Sequence, residues 1–266
     1  MGLRKTVGRF CFRIDGVVPM LTLSLNTKTG VSLNVAPIHS CPGATNACKS
    51  VCFGLDGRFQ PGMNGAVVTE RNWAALQRNP RLLLTLPMPG PTIAVRLFGV
   101  GDVWSVDAAR TVFDLVEMHS DREFWQYTRS RFEFGVAMAE RRDRGQPPIP
   151  SNLVLFASTD WENHRDAKRW AAKWGLPIAY MVFTGHGVVG EMDEDFGWRG
   201  AFHCPVENPA VKDKWPLTKR RGDSPCQRCR YCIDGKPGFA EYRAGRGVRF
   251  DVHLSPFHPL AERRGG

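Results

Sequence analysis

No stretch of this 266-residue sequence approaches the roughly 20 consecutive apolar residues that a membrane span requires. A membrane partner is therefore not expected. The basic opening "MGLRKTVGRFCFRIDG" leads into no long apolar stretch, so no signal peptide is read there. The expected location is cytoplasmic. Neither a G-x-G-x-x-G fingerprint nor a P-loop appears at a first strand-to-helix turn, which argues against an ordinary nucleotide-binding open sheet. Acidic residues are outnumbered, 26 against 36 Lys and Arg, giving a formal net charge of +10.

That charge is unevenly spread. Residues 219–249 hold nine Lys or Arg and three Asp or Glu, a local excess of +6. A cluster of this kind suits nucleic acid or another anion, and Tyr231 and Tyr242 among the basic residues suit stacking on exposed bases. It equally suits a solubilising surface, or a counter-charge to metal-bound thiolates. Apolar residues make up 42% of the chain, enough for a core, and the charged fraction of 23% argues against wholesale disorder.

Eight cysteines are present, six of them in two groups. A chain of this size does not need disulfide staples, and clustered thiols without a secretion signal read as ligands. The first group, "CPGATNACKSVC", places Cys41, Cys48 and Cys52 at C-x6-C-x3-C. Cys48 and Cys52 are one helical turn apart. Three thiolates on a cubane leave one iron open, and Cys11, His39 or a non-protein group are candidates for the fourth position. The second group, "CQRCRYC", places Cys226, Cys229 and Cys232 at C-x2-C-x2-C, with Cys204 upstream as a fourth thiol. Close thiolate runs of this kind hold cubanes in bacterial ferredoxins. One or two 4Fe-4S clusters are expected, and a tetrahedral four-thiolate zinc site is the alternative.

Between the groups, short apolar segments alternate with helical patterns. A hairpin is expected over 17–37, and a helix over 69–79. Strands are expected at 92–99, 123–129, 151–159 and 177–185. Helices are expected at 105–120, 131–142 and 162–175, with Ser105 as an N-cap and Gly175 as a stop. This order predicts an α/β fold, a full or partial parallel β/α barrel over 1–190 that includes the first cysteine group. Residues 191–266 lack periodicity and read as a small C-terminal cysteine-rich metal-binding region packed on the barrel.

Ligands of parallel β/α folds bind at the carboxyl ends of strands. Arg96, Asp102, Arg129, Asp160 and His186 fall there as candidate catalytic residues. Gly99, Gly101 and Thr184 are candidates for cofactor contact. Tyr127, Ser158, Thr159, His164 and His203 lie in the same regions. Each also has a purely structural reading. Asp102 and Asp160 suit helix caps, Arg96 and Arg129 suit ion pairs across a barrel, and His164 suits a helix surface.

"LSLN…CPGATNACKSVCF", "VRLFGVGDVWS", "FWQYTRS", "LFASTD" and the late "CP…CQRCRYC" together resemble the bacteriophage and actinobacterial gene product 88 family over roughly residues 20–235. The resemblance implies a phage-encoded protein acting in the host cytosol, with both cysteine groups parts of one design. It transfers little mechanism. A more distant resemblance is to radical SAM barrel enzymes, which carry a three-cysteine cluster after the first strand and sometimes further clusters near the C-terminus. It implies S-adenosylmethionine as a cofactor. Here the family's C-x3-C-x2-C spacing is replaced by C-x6-C-x3-C, and "FGVGD" is only loosely like its glycine-rich segment.

Three functions remain in view. One is an iron–sulfur redox enzyme acting on a small-molecule substrate, fed by an electron donor. Another is a metal-stabilised protein that binds nucleic acid or a host protein through Arg228, Arg230 and Arg243. The last is a redox sensor whose affinity for a partner tracks cluster occupancy.

Overall fold

The computed structural model describes residues 21–182, 202–204, 224–226, 230, 232–233 and 248–251. The chain opens with the expected hairpin: Leu23–Asn26 (β1) pairs antiparallel with Gly30–Leu33 (β2). The Asn26 side chain closes its turn by accepting from the Lys28 and Thr29 N–H groups at 2.8 and 3.2 Å. Every later pairing is parallel. Val95–Arg96 (β3), Phe124–Thr128 (β4), Leu153–Thr159 (β5) and Ile178–Val182 (β6) add in sequence order. Phe202–His203 (β7) and Val248–Asp251 (β8) complete the sheet, whose order is β1-β2-β3-β4-β5-β6-β8-β7.

The α/β class is thus as expected, with a mixed, mostly parallel sheet. Its edges are β1 and β7, and a closed barrel is not formed among the described residues. Strands β7 and β8 come from the 191–266 region and extend this same sheet.

Sequential parallel strands joined by right-handed crossovers put all their helices on one face. The packing agrees. Val95, Leu97, Phe124, Leu153, Leu155, Ala157, Ile178 and Tyr180 share one core with the helical residues Ala108, Val112, Phe113, Phe134, Met138 and Ala171. Those come from Val106–Met118 (α3), Arg131–Asp143 (α4) and His164–Trp174 (α5), as Asn64–Leu76 (α2) contributes Ala75 and Leu76. Full burial of a side chain such as Phe134 contributes about 1.5–3 kcal/mol, so this face dominates the stability.

Local signals explain the helix ends. Ser105 accepts from the Ala108 N–H at 3.1 Å and caps α3, and Gly175 ends α5 at φ 65°. Helix α2 starts earlier than its periodicity suggests and is anchored by a wholly buried Asn72. That amide donates to the Thr22 and Asn34 carbonyls at 3.0 and 2.8 Å and accepts from the Thr22 N–H.

Because side chains alternate along a strand, the other face carries Arg96, Trp125, Tyr127, Val154 and Met181. Among the described residues no crossover helix covers it. Instead it meets the two cysteine segments.

Candidate functional site

The first cysteine group is placed by the exits of β2 and β3. The Asn34 carboxamide oxygen accepts from the Val100 N–H at 2.8 Å, and the Val35 N–H donates to the Val100 carbonyl at 3.0 Å. Ser40 donates to the Ala36 carbonyl at 2.7 Å and accepts from the Asp102 N–H at 3.2 Å. Cys41 follows directly, its sulfur 3.8 Å from the Ser40 hydroxyl. Gly99 and Gly101 make these approaches: a Cβ on Gly99 would meet the Asn34 oxygen at 2.6 Å, and Gly101, at φ 80°, sits against Val35 and Ser40. Their close packing is thus against the chain's own β2 exit. Ile38, a β-branched residue, takes φ 67°, which marks backbone strain in this loop.

Asn46–Ser50 (α1) then carries Cys48, with Cys52 just after it. Thr45 caps α1, accepting from the Cys48 N–H at 3.0 Å, and donates to Asp160 at 2.5 Å. The Glu162 carboxylate accepts from the Asn46 and Ala47 N–H groups at 2.9 and 3.0 Å. Ala47 and Val51 pack on Trp161 and Met181. Gly43 presses on the β4 exit, where a Cβ would fall on the Arg129 carbonyl. The loop is therefore latched to the carboxyl ends of β2 to β6.

Beneath it lies a buried polar web. Arg129 and Asp160 form an ion pair at 2.8 Å whose alignment is not that of a linear hydrogen bond. The Asp102 carboxylate accepts from the N–H groups of Val103 at 2.8 Å, Arg129 at 2.7 Å and Ser130 at 3.3 Å. It also accepts from the Thr128 hydroxyl at 2.8 Å and the Gln126 amide at 3.3 Å. Burial pushes its carboxyl upward, against the downward pull of these donors.

The three thiols feel this web and one another. Burial pushes Cys41 up to about 12, helped by the charge of Asp102. Burial pushes Cys52 up to about 11, with Cys48 adding to it. Cys48 is raised by burial and pulled back by the Arg129 guanidinium. As donors, three clustered soft sulfurs with a cationic neighbour fit a thiolate-bound metal centre. Among the described residues no three His, Cys, Asp or Glu side chains are grouped to hold a single ion. His39 is exposed, and Cys11 lies outside the described residues.

The second group meets the inner face of the sheet. Ile233, Cys226 and Cys232 pack with Ala94, Trp125, Tyr127 and Val154. The Tyr127 hydroxyl donates to the Cys232 sulfur at 2.9 Å. The Cys226 N–H donates to the Lys28 carbonyl at 3.1 Å, and Arg230 pairs with Glu123 at 2.5 Å. Cys204 is buried at the end of β7, which β8, β6 and β5 separate from β4. All six described cysteines are free of disulfides.

Among the expected residues, Arg129, Asp102 and Asp160 converge on the first cysteine group. Arg96 stacks on Trp125 and Tyr127, nearer the second. Neither aspartate caps a helix: Ser105 caps α3, and Asn163 precedes α5. Asp160 instead accepts from the Glu162 N–H at 2.9 Å within its turn. His164 begins α5 with Nδ1 at 3.0 Å from the Trp161 carbonyl. Thr184, His186, Cys229 and the side chain of His203 lie outside the described residues. Sequence reasoning missed Ser40, Thr45 and Glu162 as site-building residues. Thr45 was discoverable, since it stands at N-cap spacing before Cys48.

The same pieces of sequence decide the relationship to known proteins. Residues 4–235 match gene product 88. The chain belongs to the gene product 88 family. This bacteriophage-associated family spans both cysteine groups and every strand except β8. No curated protein and no solved structure matches the chain. No helix among the described residues of this gene product 88 protein is long and apolar enough to cross a membrane.

Proposed function

We propose that this gene product 88 protein is an iron–sulfur protein with a redox-active centre on Cys41, Cys48 and Cys52. The observation that carries this reading is the convergence of that loop with the buried Arg129–Asp160 pair at the carboxyl ends of parallel strands. In such folds those ends are where ligands bind. A cubane on three thiolates supplies an open iron position and one-electron chemistry. A cluster takes one thiolate per iron, so its ligands stand further apart than those of a single ion.

In this reading Thr45 and Glu162 hold α1 so that Cys48 and Cys52 face inward. Arg129 sets positive charge beside Cys48. Asp102 fixes the β4 exit that carries Arg129. Cys226, Cys229 and Cys232 hold a second centre that passes electrons to the first. One feature supports that relay. Tyr127, which lies on β4 and touches Cys232, is two residues before Arg129, which leaves β4 and neighbours Cys48, about 7 Å of extended chain. Such a sequential parallel sheet with a thiol loop after its first parallel strand is also compatible with radical SAM-like chemistry, in which S-adenosylmethionine would occupy the open position.

A second reading has its own support. Phe53, Leu55, Met63 and Val67 are exposed apolar side chains that follow Cys52 closely in sequence. They favour a partner protein docking beside the first thiol group. Zinc in place of iron would make this a structural-metal binding protein. Nucleic-acid contact through Arg230 is weakened by its ion pair with Glu123. Arg228, Arg243, Tyr231 and Tyr242 lie outside the described residues.

The test compares wild type with Cys48→Ala, both purified anaerobically. The proposal expects the variant to keep its secondary structure, lose part of its iron and sulfide, and lose any reductive cleavage of S-adenosylmethionine. Unchanged iron and sulfide in the variant would remove the first centre from the account.

A further inference from the structure

Arg96 lies on the inner face of the sheet with its guanidinium 5.0 Å from the Trp125 ring and 4.9 Å from the Tyr127 ring. Its Nε is buried and without a hydrogen-bond partner, and no carboxylate pairs with it among the described residues. Arg96 is half-buried, and a guanidinium partly withdrawn from water without a partner is stabilised by an anionic neighbour. Two cysteines of the second group pack on the same two rings. One of them, Cys232, already receives the Tyr127 hydroxyl at 2.9 Å.

We propose that Arg96 and Tyr127 form a polarised lining that sets the reduction potential of a metal centre held by Cys226 and Cys232. This rests on the iron–sulfur reading above. The physical argument is electrostatic. Reduction places one more negative charge on a thiolate-bound centre, and the electron comes from an external reductant such as dithionite, with no bond made or broken. A cation held in a low-dielectric face and an O–H aimed at a sulfur both favour the reduced state. Arg96 also gains the counter-charge it otherwise lacks. A purely structural stack of Arg96 on Trp125 and Tyr127 would affect stability, typically by about 0.5–2 kcal/mol, and leave the potential alone.

The experiment is a spectroscopic redox titration of the full chain, run in wild type and in a Cys48→Ala background that removes the first centre. Tyr127→Phe deletes only the hydroxyl, Arg96→Met deletes the charge, and Arg96→Lys restores it. The expected result is a shift to lower potential in Tyr127→Phe and Arg96→Met. Each should reach about tenfold in the reduction equilibrium, or about 59 mV for one electron. Arg96→Lys should stay near wild type. Full iron and sulfide with unshifted potentials in both deletions would overturn the inference while sparing the iron–sulfur reading. A chain holding zinc, or no iron and sulfide, would overturn both.

Discussion

Arg129 and Asp160 face each other at 2.8 Å, the first 6% exposed and the second wholly buried, directly under the first cysteine loop. Asp160 is bound twice more, by the Thr45 hydroxyl and the Glu162 N–H. The pair thus joins β4, β5 and the thiol loop.

Removing one partner should be costly. Arg129→Met leaves Asp160 as an uncompensated buried charge, and the expected loss is about 3–5 kcal/mol. Pairing it with Asp160→Asn should recover part of that. Urea unfolding of the metal-free chains checks this, and a single-variant loss below about 1 kcal/mol would contradict a buried pair of this kind.

Gly43 tests whether loop placement matters more than thiol chemistry. Gly43→Ala sets a methyl on the Arg129 carbonyl, so the loop must lift off the β4 exit. The main core lies on the opposite face and is untouched. We expect near-normal circular dichroism with reduced metal content at the first group. Full metal retention would show that the close approach is incidental.

Glu162 offers a milder lever. Its carboxylate serves the first two N–H groups of α1, which are otherwise orphaned. Glu162→Ala should cost about 0.5–2 kcal/mol. It should also speed loss of metal to a chelator, followed by absorbance. An unaltered loss rate would remove Glu162 from the site.

The thiol pKa values give a pH dependence with a definite sign. With Cys41 pushed up to about 12 and Cys52 to about 11, the metal-free chain holds these thiols protonated at neutral pH. Metal binding must displace those protons, so affinity rises with pH. Each proton released contributes about tenfold per pH unit. Chelator competition between pH 7 and 8 measures it, and a flat response would contradict buried, protonated thiols.

What was legible in the sequence follows from where the information lies. The hairpin within 17–37, the Ser105 cap and the Gly175 stop are written in local chemistry, and each stands where the sequence placed it. Asp102 was visible as a strand-end residue. Four of its five donors, however, come from β4 and the residues just after it, 24 to 28 positions away, and no local pattern reveals them. Glu162 looked like part of a surface helix because its partners, Asn46 and Ala47, are 116 and 115 residues distant. Arg96 suited a salt bridge by type. Only the register that sets it beside Trp125 shows that its neighbours are rings.

The most direct test of the iron–sulfur reading is elemental analysis of the wild-type chain purified without oxygen, with its absorption spectrum. The account predicts iron and acid-labile sulfide in equal amounts, about four or eight of each per chain, with broad absorption at about 400 nm. Stoichiometric zinc without sulfide would contradict it and leave a structural metal holding a binding protein.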